Sequence, residues 1–169
     1  MKTLIVMRHG WAGESGLHAN DDLRPLDARG RSETQMAGRA LKFLFKKCDR
    51  IFVSPLVRSR QTADFLIKSG GVKKSCPMTV LKSLRPEANP RNTLIDLVAS
   101  KAEVSLIVGH EPHLSKFLSL LLTDDTQHPL ALKKGSVAVI DMSAANIRVL
   151  KCLITPSYLK KIKKGLRKE

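Results

Sequence analysis

The sequence predicts an α/β fold, a three-layer sandwich in which a mostly parallel central sheet is flanked by helices. Short apolar runs alternate along the chain with segments of helical periodicity, the pattern of strand–helix–strand units. The two clearest runs, at 3–7 and 104–108, are nearly continuous in apolar residues, as strands covered on both faces are. The chain has 169 residues, 43% of them apolar and 27% charged, so it can bury one sizeable core and is not of the disordered class.

The elements follow in order. Thr-Leu-Ile-Val-Met at 3–7 reads as a buried strand, followed by a polar loop containing Gly10, Gly13 and Gly16. A helix is expected over 28–46, capped by Asp27, with Met36, Ala37, Ala40, Leu41, Leu44 and Phe45 on its apolar face. Residues 51–53 form a second short strand. Ser54-Pro55 reads as a capping hydroxyl before a first-turn proline, opening a helix that stops near Gly70-Gly71. A third strand is expected at 78–81, and a helix over 92–99 entered through Asn89-Pro90. After the strand at 104–108, Pro112 opens a helix bearing Leu114, Phe117, Leu118, Leu121 and Leu122 on one face. Residues 137–142 and 147–154 are β-rich and close the domain as a hairpin or neighbouring pair. The domain is read as 1–156, with 157–169 as a basic C-terminal tail that either packs a helix through Leu159, Ile162 and Leu166 or frays.

Charge and cysteine content narrow the function classes. Thirty Lys and Arg against fifteen Asp and Glu give a net charge of +15, and 158–169 holds six basic residues and one acid. Such an excess favours an anionic partner or substrate. A nucleic-acid or polyanion binder is therefore the competing class, but no zinc finger or RNA-binding signature occurs and aromatic residues are only 4%. Cys48, Cys76 and Cys152 are odd in number and form no Cys-x-x-Cys pair, which fits reduced thiols in a cytoplasmic protein. No apolar run is long enough for a membrane span, so no membrane partner is expected.

Three strand ends bring candidate chemistry together. The first strand delivers Arg8-His9-Gly10, the second Ser54-Pro55 with Arg58 just beyond, and the 104–108 strand Gly109-His110. Ligands of open α/β sheets bind outside the carboxyl ends of the strands. Two histidines, two arginines and nearby helix N-termini at one sheet edge make a phosphate pocket. There a neutral imidazole can attack phosphorus while a second histidine donates hydrogen bonds to the phosphoryl oxygens. No P-loop occurs. Ser54 reads as a cap, not a nucleophile, since no Gly-x-Ser-x-Gly surrounds it. His110-Glu111-Pro112-His113 invites a metal reading, but Pro112 disturbs the spacing, so neither metal nor cofactor is expected. His18 and His128 fall in polar loops and are read as incidental.

Leu4-Ile5-Val6-Met7-Arg8-His9-Gly10 resembles the signature of the histidine phosphatase, or phosphoglycerate mutase-like, superfamily. Asp21-x-x-Arg24-Pro25-Leu26-x-x-x-Gly30, Ser54-Pro55-x-x-Arg58-x-x-Gln61-Thr62-Ala63 and Val108-Gly109-His110-Glu111-Pro112 narrow the resemblance to its SixA-type phosphohistidine phosphatases. The resemblance implies the phosphoglycerate mutase-like fold and a metal-independent phosphatase with a phosphohistidine intermediate. His9 would be the nucleophile and His110 the second catalytic histidine. Arg8, Arg58 and Arg24 would bind phosphate. The implied partner is a phosphorylated protein, the histidine phosphotransfer domain of two-component signalling, or a small phosphorylated substrate. The sequence is silent on oligomeric state. Trp11 departs from the family, standing where an acidic or small polar residue is usual. The carboxylate proton donor of larger members has no firm counterpart. Glu87, in Leu84-Arg85-Pro86-Glu87, is the candidate, against its reading as an ordinary loop carboxylate.

Overall fold

The alternation of apolar residues along the first strand divides the molecule into its layers. In β1 (Thr3–Arg8), Leu4 and Val6 face one core and Ile5 and Met7 the other, all buried. A strand with both faces buried must lie inside a sheet with helices on each side. The computed structural model describes residues 1–14, 16, 18–127, 130–144 and 147–165, with side chains as far as residue 161. His128 and the side chains of Ile162 and Leu166 lie outside the described residues.

Among the described residues the sheet has six strands in the order β3-β2-β4-β1-β5-β6. β2 (Arg50–Val53), β3 (Met78–Val80) and β4 (Val104–Gly109) run parallel with β1. β5 (Val137–Asp141) is antiparallel to β1, and β6 (Val149–Ile154) is antiparallel to β5. One core lies beneath α1 (Ala28–Ala40), α2 (Lys42–Phe45) and α3 (Val57–Lys68), around Phe45, Ile51, Leu66 and Leu106. The other lies beneath α4 (Pro90–Ala99) and α5 (His113–Thr123), around Leu97, Ile107, Phe117 and Leu118. The predicted three-layer α/β architecture with a mostly parallel sheet is the one observed.

Several boundaries differ from the sequence expectation. The helix expected over 28–46 breaks at Leu41, whose φ of −105° and ψ of 22° end α1 before the single turn of α2. No Pro or Gly stands there. The break drops Leu41 and Phe45 together into the core, so packing and not local propensity decides it. Ser54 does not cap α3. Leu56 is the N-cap, with no side-chain hydrogen bond, and Ser54 Oγ accepts only a long contact of 3.5 Å from the Leu56 N–H. Asp27 and Asn89 do cap α1 and α4. α6 (Pro156–Gly165) starts the basic segment, with Leu159 buried in the first core and Lys160 Nζ 2.7 Å from Glu33 Oε1. The described part of that segment is therefore docked on α1. Cys48 and Cys76 are distant in sequence but meet in the core with sulfurs 3.9 Å apart, both as free thiols.

Gly30 joins the scaffold to the site. A Cβ there would lie 1.9 Å from the Trp11 carbonyl oxygen and 2.7 Å from its nitrogen, so α1 approaches the backbone beside His9 more closely than any other residue permits. Gly30→Ala should therefore destabilise the fold by about 1–3 kcal/mol, despite alanine's better helix propensity. A urea midpoint at or above that of the parent protein would contradict this close packing.

Candidate active site

The ends of β1 and β4 are hydrogen-bonded neighbours, the His9 N–H donating to the Gly109 carbonyl at 3.0 Å. His9 and His110, each one residue beyond its strand, therefore stand side by side, with ring centroids 4.8 Å apart. Arg58, in the first turn of α3, reaches the same point. These residues, with Arg8, Arg24 and Lys134, line a cleft of about 670 Å³ at the carboxyl edge of the parallel strands.

Two hydrogen bonds fix the state of His9. Its Nδ1 lies 2.6 Å from the Gly10 carbonyl, which can only accept, so Nδ1 carries the proton. Its Nε2 lies 3.3 Å from Arg58 Nε, which can only donate, so Nε2 keeps its lone pair. Burial, and next to it Arg58, Arg8 and Lys134, pushes the His9 pKa from 6.5 down to about 3. His9 is thus a neutral imidazole whose Nε2 presents an oriented lone pair. His110 is 2% exposed, and its Nε2 meets Ser59 Oγ at 3.0 Å. Among the described residues its buried Nδ1 has no hydrogen-bond partner. Burial and the neighbouring His9, Arg58 and Arg8 lower its pKa to about 2.

The arginines are held by carbonyls and one carboxylate. Arg58 donates from Nη1 to the Asp21 carbonyl at 2.7 Å, and its Nη2 lies 3.0 Å from Asp21 Oδ2. Arg24 pairs its Nε with Asp21 Oδ1 at 2.8 Å and donates Nη1 to the carbonyls of Ala12 and Gly13. Asp21 therefore spaces the two guanidiniums, which hold its carboxyl below the ordinary range. Arg8 donates Nη1 to the Leu132 carbonyl at 2.7 Å, while its buried Nε has no partner among the described residues. Glu111 steadies that segment by accepting the Leu132 N–H at 2.9 Å. His110 Nδ1 and Arg8 Nε, both unpartnered among the described residues, thus border a cleft rich in cations. A tetrahedral oxyanion suits such a surface.

Five of the six residues singled out in the sequence, His9, His110, Arg8, Arg58 and Arg24, come together here. Glu87 does not. It is exposed, and its Oε1 is 2.8 Å from Arg85 Nε, which is tied in turn to Asp22. Its own backbone N–H and Arg85 hold its carboxyl low, the opposite of what a proton donor needs. His113 turns away from His110 to Thr93 Oγ1 and the Ala88 carbonyl, so the tetrad does not aim two histidines at one point. Asp21, Glu111 and Lys134 were missed as site residues. Only Asp21 had a legible signal, its i,i+3 spacing from Arg24.

The buried neutral histidines make stability depend on pH. Unfolded, each binds a proton near 6.5, whereas folded they do so only at about 3 and about 2. Between these values the unfolded chain binds more protons, so the stability present above about pH 6.5 is lost as pH falls towards 3. The slope should be about 1.4 kcal/mol per pH unit for each histidine. Thermal melts should show a shallower fall for His9→Asn than for the parent. Parallel curves would contradict a buried neutral His9.

A family model for the histidine phosphatase superfamily (branch 1) matches residues 4–86. An uncharacterized protein of Picosynechococcus sp. is 29% identical, the match covering 92% of this chain and 98% of that protein. Among solved structures, the protein histidine phosphatase SixA complexed with tungstate superposes with a TM-score of 0.80 at 22% identity, covering 93% of this chain and 99% of its own. The α-ribazole phosphatase of Shigella flexneri has a TM-score of 0.73 at 18% identity, covering 91% and 96%. The family match spans the Arg8-His9 and Arg58 blocks, and both solved structures share the fold of the whole domain, so the chain is similar to the histidine phosphatase superfamily in sequence over residues 4–86 and in fold through β4.

Proposed function

We propose that this phosphatase acts through a covalent phosphoryl group on His9 Nε2 and that its substrate is phosphohistidine on a cytoplasmic signalling phosphotransfer protein. The observation carrying the first part is the tautomer of His9. The Gly10 carbonyl holds the proton on Nδ1, leaving the Nε2 lone pair facing the cationic cleft. That lone pair attacks phosphorus as the bond from phosphorus to the leaving group breaks, and water then releases inorganic phosphate and restores Nε2. Arg8 and Arg58 neutralise the phosphoryl oxygens, with Arg24 holding the loop and Asp21 in place. A bound phosphoryl dianion favours protonated His110, whose Nδ1 donates to an oxygen. The chemistry belongs to 1–156.

The substrate class rests on the cleft's carboxylates. Glu111 accepts from the Leu132 and Ser115 N–H groups, and Asp27 from those of Gly30 and Gly13. Glu14 stands exposed on the rim. None of the three is a buried carboxylic acid set to protonate an alkoxide. Phosphohistidine needs no such acid, because a phosphoimidazole protonated on its other ring nitrogen leaves as neutral imidazole. The SixA structure similar to this chain, complexed with tungstate, supports an oxyanion at this site. Small-molecule phosphatases share the fold, which makes a phosphomonoesterase the second reading. Phosphate release from a phosphohistidine-bearing phosphotransfer domain in excess EDTA, outpacing release from sugar phosphates, is the expected result. Faster turnover of sugar phosphates would overturn the substrate assignment.

A further inference from the structure

Trp11, the residue that departs from the family pattern, separates the catalytic cleft from a second one. Arg29 Cζ lies 4.1 Å and Lys134 Nζ 4.3 Å from its ring centroid. Two cations are thus held against one aromatic ring, an arrangement that fixes their positions without neutralising them. Behind Trp11 a cavity of about 540 Å³ opens towards the start of α6, and Arg8, Trp11, Arg29 and Lys134 line both spaces.

The charge of this cavity is one-sided. Arg8, Arg29, Lys133, Lys134 and Lys160 line it, with Glu33 as the one carboxylate among its described lining residues. Glu33 Oε1 is shared by Arg29 Nε at 3.1 Å and Lys160 Nζ at 2.7 Å, so it orients those two, and among the described lining residues no carboxylate is left for Arg8, Lys133 and Lys134. Lys134 feels the imbalance. Burial, and after it Arg8 and Arg24, lowers its pKa. Thr155 and Ser157, at the start of α6, line the same wall, so the positive end of that helix adds to the field.

We propose that this cavity binds a second anionic group of the substrate, a phosphate or a carboxylate, while the phosphoryl group to be transferred sits between His9 and Arg58. The inference rests on the phosphatase reading of the adjoining cleft and narrows its substrates to doubly anionic ones. Arg29, Lys133, Lys134 and Lys160 select, and Trp11 holds two of them at the boundary. The scissile group is served by other residues, so mono-anionic and doubly anionic ligands should separate cleanly.

Calorimetric titration of the full chain with three ligands tests this: butylphosphonate, its ω-carboxylate analogue and its ω-phosphonate analogue. At least one two-headed ligand should bind about tenfold or more tightly than butylphosphonate, reflecting charge-assisted hydrogen bonds to the second group. The preferred head group identifies phosphate or carboxylate. In Lys133→Ala/Lys160→Ala the preference should fall to about threefold or less. Lys133 is exposed, so Lys133→Glu gives a variant that leaves the Glu33 contacts in place and should reduce the preference likewise. Equal binding of all three ligands by the parent, or a preference untouched by both variants, overturns the proposal. Hydrolysis of phosphoimidazole, which carries the nitrogen–phosphorus bond of the proposed substrate, is followed in parallel. Hydrolysis without ligand preference removes the second site and keeps the phosphatase. Ligand preference without hydrolysis keeps the second site and removes the catalytic reading.

Discussion

His9→Ala should lower phosphate release by about 10³-fold or more while leaving the protein folded, because it removes the proposed nucleophile and with it the covalent route. The loss should fall on kcat and kcat/KM together, since Nε2 bonds to phosphorus only along the reaction path. Orthophosphate should still bind, as Arg8, Arg58 and Arg24 remain. His9→Gln should behave like the alanine variant, because an amide nitrogen offers no basic lone pair. Steady-state kinetics with a matched far-ultraviolet spectrum checks both. A residual rate within about tenfold of the parent would show that His9 is not the attacking group.

Arg58 is the second position of large effect, because one side chain serves three partners. Its Nε faces His9 Nε2 at 3.3 Å, its Nη1 donates to the Asp21 carbonyl and its Nη2 pairs with Asp21 Oδ2. Arg58→Ala should lower kcat/KM by about 10²–10³-fold, the scale associated with removing one preorganised donor to developing charge. Arg58→Lys should restore little of it. A single ammonium cannot reproduce the planar fork that reaches His9 and Asp21 at once. Recovery to near the parent rate in Arg58→Lys would show that only the charge matters there. Asp21→Asn tests the same geometry from the other side. It should raise KM for phosphate substrates more than it lowers kcat, because Asp21 spaces the two guanidiniums without reaching the substrate.

The residues that converge in the cleft were legible because the physics of the fold places them. A buried strand that ends in Arg8-His9 must deliver both at the sheet edge, and the parallel partner ending in Gly109 must deliver His110 beside them. Arg58 follows from a helix that starts just after β2. The core was legible for the same reason, in the doubly buried runs of β1 and β4.

What escaped the sequence is what depends on distant segments meeting. The break at Leu41 has no local breaker and arises from the descent of Phe45 into the core. Ser54 has a capping side chain, but α3 begins three residues later. Glu87 sits in a plausible stretch of chain, yet Arg85 draws its carboxylate outward. Asp21 becomes a bridge only when α3 sets Arg58 beside Arg24. Lys134 and Arg29 take their places only once Trp11 stands between them. Nothing in the spacing of 11, 29 and 134 announces that contact.

The central claim is a phosphoryl group on one nitrogen of one residue. Excess enzyme mixed with substrate, quenched in alkali where the nitrogen–phosphorus bond survives, and mapped by peptide mass spectrometry tests it directly. The account predicts one phosphoryl group on the peptide containing His9, carried on that residue, and none in His9→Ala. A phosphoryl group on His110 or another residue, or phosphate release from an enzyme never phosphorylated at His9, would contradict it.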